Sequence, residues 1–147
     1  MALTFAITLD GAEEVKKALK DLGARAAPAM GEALYSEGNE LLYDSAALVP
    51  VDTGNLASSA YLTPPAVGGD GAFVTVGYGG AAAPYAVVVH ENPRSGQTGG
   101  LSPSGKKYAH WAATGQWKYL ETPFKARTAG FASRIAESLR NFLLRSR

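Results

Sequence analysis

The triplet Asp52-Thr53-Gly54 carries the most suggestive chemistry in the chain. Two such aspartates brought together share one proton, because like charges at close range cannot both ionise, and the pair can activate water against a peptide bond. That chemistry requires an aspartate in a loop that leaves a β-strand, whereas this triplet follows a helical stripe of Leu34, Leu41 and Leu48. The pattern therefore favours a structural corner in which Asp52 or Thr53 caps the next helical turn.

The two histidines, His90 and His110, are candidates for a hydrolase or a zinc site. Zinc enzymes hold their ligands at fixed helical or strand spacing, and no His-Glu-x-x-His run occurs. The sequence has no Gly-x-Ser-x-Gly elbow, no Gly-Lys-Ser/Thr phosphate loop and no cysteine. We therefore expect no catalytic, cofactor-binding or metal-binding residue and no enzyme activity. A small hydrolase centred on Asp52 or His90 is the alternative.

Basic residues alternate with aromatic ones in a segment without periodicity, at Arg94, Lys106, Lys107, Tyr108 and Trp111. Such a mixture can contact a nucleic-acid backbone and its bases, so a nucleic-acid-binding module is a second alternative. Three basic residues are too few for independent DNA binding, because that affinity grows with the number of phosphates neutralised. We expect the two aromatic residues to anchor a contact with a neighbouring subunit, and the three basic residues to contact that neighbour or DNA.

The composition indicates one domain over residues 1–147. The hydrophobic content of 46% is enough for one core of ordinary size. Only 18% of the residues are charged, and so thin a polar surface hints at a buried partner surface. No apolar run approaches the roughly 18 residues of a spanning helix, and the N-terminus lacks the order of a signal peptide. We expect neither membrane insertion nor secretion.

The net charge of +1 hides a gradient along the chain. Residues 1–44 hold eight acids and four bases, and residues 118–147 hold seven bases and two acids. Complementary charges of this kind suit a subunit that meets its neighbours through unlike faces. We expect Arg134 and Arg140, together with the aromatic anchors, to lie at a subunit interface. The alternative is that each helix simply has a solvated face and the asymmetry is accidental.

The elements of the N-terminal half follow from hydrophobic spacing. Alternation over residues 3–9 predicts a half-buried strand. Asp10 and Glu13 match a capping box and predict a first helix that stops at Gly23. A second, longer helix is predicted over residues 28–50. Its apolar stripe consists of Met30, Leu34, Leu41 and Leu48.

The C-terminal half is predicted to hold a meander, a loop and a closing helix. Residues 61–67, 72–78 and 84–91 are rich in β-branched and aromatic residues and are separated by glycine-rich turns, which predicts three antiparallel strands. The third is apolar on both faces and should lie centrally. Residues 92–117 form a long flexible loop. A closing helix follows, capped by Thr122 with Pro123 in its first turn, and its apolar face consists of Phe124, Phe131, Ile135, Leu139 and Phe142.

These elements together predict the α+β class. An antiparallel sheet of about four strands packs against the long helix of the N-terminal half and against the C-terminal helix. The long loop is an insertion into this domain.

Three motifs occur in a recognisable order along the chain. An apolar-Pro-Val-Asp-Thr-Gly-x-Leu-x-x-Ser turn ends at residue 59, Tyr-Ala-x-x-Val-His-Glu covers residues 85–91, and Lys-Tyr-Leu-Glu-x-Pro-Phe covers residues 118–124. Their order and spacing resemble the small head–tail joining proteins of long-tailed bacteriophages, also called minor capsid, neck or tail-completion proteins, the gene-product-ten-like tail-component family. The resemblance extends over residues 5–143.

The resemblance implies a structural virion protein without cofactors that forms a ring, expected to be a hexamer, in the phage neck. Its partners would be copies of itself, a portal-side connector or head-closure protein, and a tail terminator or tail tube protein, with DNA in the channel as a further contact. It would lie at the head–tail junction of the virion, and in the host cytoplasm during assembly. Members of the family often have Glu-x-Gly where this chain has Glu91-Asn92-Pro93 and the long insertion.

Overall fold

A computed structural model describes residues 3–6, 26–68, 71–96 and 115–145. Within those ranges the protein is a mixed helix and sheet structure, so the predicted α+β class is confirmed. No helix in the described ranges combines the length and apolarity that crossing a membrane requires. The helices are α1 Ala26–Ala46, α2 Asn55–Ser58, α3 Ala86–Glu91, α4 Glu121–Thr128 and α5 Phe131–Arg145. The strands are β1 Leu3–Ala6, β2 Tyr61–Leu62, β3 Ala66–Gly68, β4 Gly71–Phe73 and β5 Thr75–Tyr78.

Some predicted features lie outside the described residues. These are the first helix after Asp10, the C-terminal part of the first strand, and most of the predicted loop, from residue 97 to residue 114. The site residues that fall in that part of the loop are Lys106, Lys107, Tyr108, His110 and Trp111.

The strands form a three-stranded antiparallel sheet in the order β1-β5-β2 and a separate ribbon of β3 and β4. Leu3 pairs with Tyr78, and Tyr61 pairs with Gly77. In the described part of the chain, the main sheet therefore has three strands rather than the expected four or so, and the other two strands form the ribbon. Pro64 and Pro65 follow β2 and have no backbone N–H to donate to a neighbouring strand. The chain therefore leaves the sheet there, and its next strand, β3, belongs to the ribbon.

Residues 84–91 were predicted to be a central strand, and that prediction is wrong. Ala86, Val89 and His90 are buried at the i, i+3 and i+4 positions of helix α3, whereas Val88 is 57% exposed. The Val89 N–H donates to the Tyr85 carbonyl at 3.1 Å. A short apolar run fits a buried strand and a buried helix equally well by periodicity, and β-branched composition favoured the wrong one.

Helix α1 confirms the predicted long helix, although it ends at Ala46 rather than Pro50. Met30, Leu34 and Leu41 of the predicted stripe are buried, and Leu48 is half-buried in the turn after the helix. The helix is central to the fold, because it contacts the sheet, the ribbon, α4 and α5. Its approach to the sheet depends on Gly38, where an added Cβ would lie 2.7 Å from Leu62 Cδ1.

The predicted closing helix is two helices. Gly130, with φ +73°, separates α4 from α5, a left-handed conformation that glycine adopts without strain. Leu120, not Thr122, is the N-terminal cap residue of α4, and it makes no side-chain capping bond. The predicted apolar face is confirmed at Ile135, which is buried against α1, whereas Phe142 is 38% exposed.

An ionic cluster that we call the helix clamp joins α1 to α4 and α5. Arg134 donates to both carboxylate oxygens of Glu37 at 2.9 Å, and Arg127 donates to Asp44 at 2.8 Å. Burial opposes ionisation of Glu37, but Arg134 and then Arg127 outweigh it, so the pKa of Glu37 is lowered. The acid-to-base gradient is thus partly neutralised within the chain. Arg134, expected at a subunit interface, has its carboxylate partner in its own subunit.

Candidate functional site

The predicted corner between two helices is present, but its cap is not the one expected. The chain turns after α1 and re-enters helix at α2, whose N-cap residue is Gly54 with φ +85° and no side-chain capping bond. The expected cap by Asp52 or Thr53 is therefore wrong, and both side chains are exposed. Glycine fits because this backbone conformation strains any residue that has a Cβ. The corner is fixed instead by the buried Leu56 and by the Ser58 N–H, which donates to the Gly54 carbonyl at 2.9 Å.

Two glycines bring the ends of segment 97–114 together beside this corner. A Cβ built on Gly96 would lie 1.8 Å from the Gly115 carbonyl oxygen, and one built on Gly115 would lie 2.7 Å from Pro50 Cα. Neither position has room for a side chain. The next residue, Gln116, donates its backbone N–H to the Leu48 carbonyl at 2.8 Å. The first motif is thus bonded directly to the chain that leads into the third.

Helix α3 places His90 in the core, where none of its surface is exposed. Its Nδ1 lies 2.7 Å from Glu91 Oε1, and its Nε2 accepts the backbone N–H of Glu121 at 3.3 Å. Because Nε2 is an acceptor, the proton of the neutral ring must be on Nδ1, which donates it to Glu91. Burial favours this neutral ring and lowers the pKa of His90, although Glu91 opposes the shift.

Lys118 closes the cluster from the other side. Its ammonium lies 2.5 Å from Glu91 Oε2 and 2.7 Å from Glu121 Oε2, and Lys125 adds a second ammonium to Glu121. These hydrogen bonds lower the pKa of Glu121 to about 2 and also lower the pKa of Glu91. The Lys118 backbone has φ +54° and donates its N–H to the His90 carbonyl at 2.8 Å. A left-handed lysine persists only where its surroundings fix it, as they do here.

Tyr119 completes the group. It is fully buried, and its hydroxyl donates to the Ala86 carbonyl at 3.0 Å. Its ring meets His90 and Tyr78 edge to face, with centroids 5.0 and 5.2 Å apart. Burial raises the pKa of its hydroxyl well above the ordinary range. We call the group of His90, Glu91, Lys118, Tyr119 and Glu121 the junction.

The junction is the candidate metal site of the described residues, since ligand atoms of His90, Glu91 and Glu121 all lie within 4.8 Å of one another. The Lys118 ammonium already bridges the two carboxylates. A metal ion would have to displace this charge and also take a ring nitrogen of His90 from its present partner, Nδ1 from Glu91 or Nε2 from the Glu121 N–H. The geometry thus suits an internal ion pair with a structural histidine better than a cation site.

The surroundings of His90 also bear on whether it could act as the general base of a hydrolase. A general base must reach the proton that it abstracts, whereas the His90 ring is fully buried and both of its nitrogens are bonded within the chain. Asp52 is exposed at the corner, on a different part of the chain. The described structure brings these two residues into no shared hydrogen bond.

The remaining site residues in the described ranges lie apart from the junction. Arg94 is exposed after α3, and Arg140 is exposed on α5. Sequence reasoning identified His90 and Glu91 but gave no role to Lys118, Tyr119 and Glu121. The run Lys-Tyr-Leu-Glu was visible as part of a motif, but its pairing with α3 spans 27 residues from Glu91 to Lys118, which no local pattern encodes.

Comparisons with models of known protein families, with curated proteins and with solved structures found no match.

Proposed function

We propose that this chain is a structural subunit that assembles with copies of itself into a ring joining a phage head to its tail. The observation that carries the proposal is the convergence of the three motifs. Gln116, two residues before the third motif, is bonded to Leu48, which immediately precedes the first, and α3 is bonded to the third motif itself through His90 and Lys118. The residues that resemble the neck proteins thus make one architectural unit around a shared core.

The roles of the motif residues support a structural protein over an enzyme. Tyr119 and His90 use their polar atoms to hold backbone groups of α3 and α4, and Gly54 supplies a backbone conformation. Side chains that are consumed by such contacts cannot also approach a substrate. Motif residues that only hold the backbone in place are what a ring subunit needs, because ring formation depends on the placement of the subunit surfaces and requires no reacting group.

The surface supports self-association. Tyr43 is 78% exposed, Leu144 is 62% exposed and Phe73 is 56% exposed. Exposed aromatic residues are the commonest anchors of protein interfaces. The low charge content of 18% leaves fewer solvated side chains around them. Phe73 lies on the ribbon and the other two lie on helices, so several faces of the subunit offer such anchors.

The test is made in the phage that encodes the chain. An amber mutation in its gene should yield filled heads and complete tails that remain separate by electron microscopy. Supplying the purified chain should then join them. Joined particles in the absence of the chain would contradict the proposal.

The hydrolase alternative is tested with Asp52→Asn. The change preserves shape and removes one charge from an exposed side chain, so a ring subunit should assemble as the parent does. A peptidase activity in the parent that this variant lacks would replace the structural proposal with the enzymatic one.

A further inference from the structure

Among the described residues, the charges that have no ion pair are unevenly placed. On α1, Glu37 and Asp44 are neutralised by the helix clamp, whereas Glu32 and Glu40 have no ion pair among the described residues. On α5, Arg134 is neutralised by the same clamp, and Arg140 and Arg145 at its C-terminal end have no described ion pair, nor has Glu137 one turn earlier. An acidic surface is therefore left on one helix and a basic surface on another.

The acidic surface is the outward side of α1. Its residues recur at spacings of three and four, so they form one stripe opposite the side that packs on the core. All are exposed, and the tyrosine among them is the most exposed large apolar side chain of the described structure, at 78%. We call this stripe the acidic face; it consists of Glu32, Ser36, Asn39, Glu40 and Tyr43.

The basic surface is the C-terminal end of α5, which we call the basic tip: Arg140, Leu144 and Arg145. Leu144 is 62% exposed, one helical turn after Arg140. No acid occurs in α5 after Glu137. The tip therefore has two positive charges and an exposed aliphatic side chain, and the acidic face has two negative charges and an exposed aromatic one.

We propose that the acidic face of one copy of this chain binds the basic tip of a second copy. The proposal rests on the proposed function, because it names the surfaces through which the ring closes. Unlike surfaces on the two sides of a subunit form a heterologous contact, which generates a closed ring when the rotation permits. Complementary charge sets the register of such a contact, and the two apolar side chains give it a desolvated centre.

The spacing of the two surfaces agrees with this contact. Glu40 and Tyr43 are separated by about 4.5 Å along α1, and Arg140 and Leu144 by about 6 Å along α5, at the rise of an α-helix. A parallel crossing that pairs Glu40 with Arg140 therefore places Tyr43 against Leu144.

The contact cannot be made within one subunit. Arg134 of α5 binds Glu37, and Leu139, further along α5, packs on the cluster that contains Met30 and Leu34, so α5 runs antiparallel to α1. Continuing in that direction carries Arg140 toward the N-terminal end of α1 and away from Glu40. The pair of Glu40 and Arg140 requires a second copy.

The experiment is a charge exchange, read out as the molar mass of the full chain by analytical ultracentrifugation at low ionic strength. Glu40→Arg and Arg140→Glu should each raise the apparent dissociation constant of the assembly by about tenfold or more, because each places like charges face to face. The double variant E40R/R140E should recover assembly, since it restores opposite charges with the signs exchanged. Asp52→Arg, a reversal at an exposed acid outside both surfaces, is the matched control and should assemble like the parent.

The outcomes separate the two proposals. A parent chain that stays monomeric in solution and also fails to assemble on purified heads or tails overturns the ring and this contact together. A parent that assembles, with single reversals that assemble equally well, overturns the contact and leaves the ring standing. Single reversals that fail without recovery in the double variant also overturn the contact. Equal thermal melting of all variants as monomers excludes misfolding as the cause, because both reversed residues are exposed.

Discussion

The helix clamp and the junction both tie together distant parts of the chain, and they do so by different means. The helix clamp joins Glu37 to Arg134, 97 residues apart, through partly buried carboxylate and guanidinium groups. The junction surrounds a fully buried histidine and tyrosine, and its hydrogen bonds reach backbone groups as well as side chains. The first contact adds to helices that already pack through apolar faces, whereas the second holds the segments on either side of residues 97–114 in place.

This difference determines which cluster should contribute more to stability and to its dependence on pH. The arginines of the helix clamp stay in contact with water, which screens its ion pairs and limits their contribution to stability. Removing one partner of a buried hydrogen bond costs more unfolding free energy, because the other partner stays buried without a hydrogen bond. Disruption of the junction should therefore cost more than disruption of the helix clamp.

The largest effect is expected for Tyr119→Ala. Removing a fully buried aromatic ring should cost about 3–5 kcal/mol of unfolding free energy. Tyr119→Phe keeps the ring and should cost about 1–3 kcal/mol, because it leaves the Ala86 carbonyl without its donor. Urea denaturation measures both values. Tyr35→Phe is the control, since no hydrogen bond of that hydroxyl occurs among the described residues. Equal losses for the two phenylalanine variants would show that the Tyr119 hydroxyl bond contributes nothing.

Acid should weaken the junction in two stages. The folded pKa of His90 is below its ordinary value of 6.5, so its contribution is present above that pH and is lost as pH falls below it. The folded pKa of Glu121 is about 2 against an ordinary 4.5, so that contribution is lost only as pH falls from 4.5 toward 2. The helix clamp contributes to the second stage alone, through Glu37.

The first stage is tested by measuring stability between pH 7.5 and pH 5.5. The parent should lose stability over this range, and His90→Gln should lose less. His110→Gln, a change at the other histidine of the chain, should retain the slope of the parent. A slope that follows His110 instead would assign the acid sensitivity to a different part of the chain.

A smaller effect is expected for Glu37→Gln in the helix clamp. The amide keeps the shape of the side chain but removes the charge that Arg127 and Arg134 share, and the loss should be about 1–2 kcal/mol after solvent screening. Glu137→Gln removes an exposed acid from α5 and should change stability by less than about 0.5 kcal/mol. Thermal melting compares them. A loss as large as that of Tyr119→Ala would remove the distinction between the two clusters.

The smallest effect is expected for Asp52→Ala. Asp52 is exposed and does not cap α2, so its removal should change the unfolding free energy by less than about 0.5 kcal/mol. A true capping residue would cost about 1 kcal/mol. Gly54→Ala should cost more than Asp52→Ala, because alanine is strained at φ +85°. If chemical denaturation showed a larger loss for Asp52→Ala than for Gly54→Ala, the predicted cap by the Asp52 side chain would be supported after all.

Local patterns predicted some parts of this molecule well. Met30, Leu34 and Leu41 repeat at helical spacing, and the helix that they predicted is the central element of the fold. The segment from Ala86 to Glu91 was wrongly predicted to be a strand because its valines favour strands. In the structure it packs beside Tyr119 as a helix. Propensity is a weak guide where tertiary packing decides.

The long-range ion pairs could not be predicted from spacing. Arg134 was assigned to a neighbouring subunit because of the charge gradient, and the fold brings it to an acid of its own subunit. Lys118 likewise binds Glu91 across 27 residues, whereas its pair with Glu121 is local, at i, i+3. The charge gradient in the sequence shows that the chain has opposite charges at its two ends. Which of these charges are paired within the subunit depends on the fold.

The central claim is that this chain is a ring-forming subunit, and the most direct test is the mass and shape of the purified full chain. Native mass spectrometry should give an integer multiple of the 15.3 kDa subunit, expected to be six, and negative-stain images of the same sample should show closed rings. A strictly monomeric chain that also fails to assemble on purified heads or tails would contradict the account.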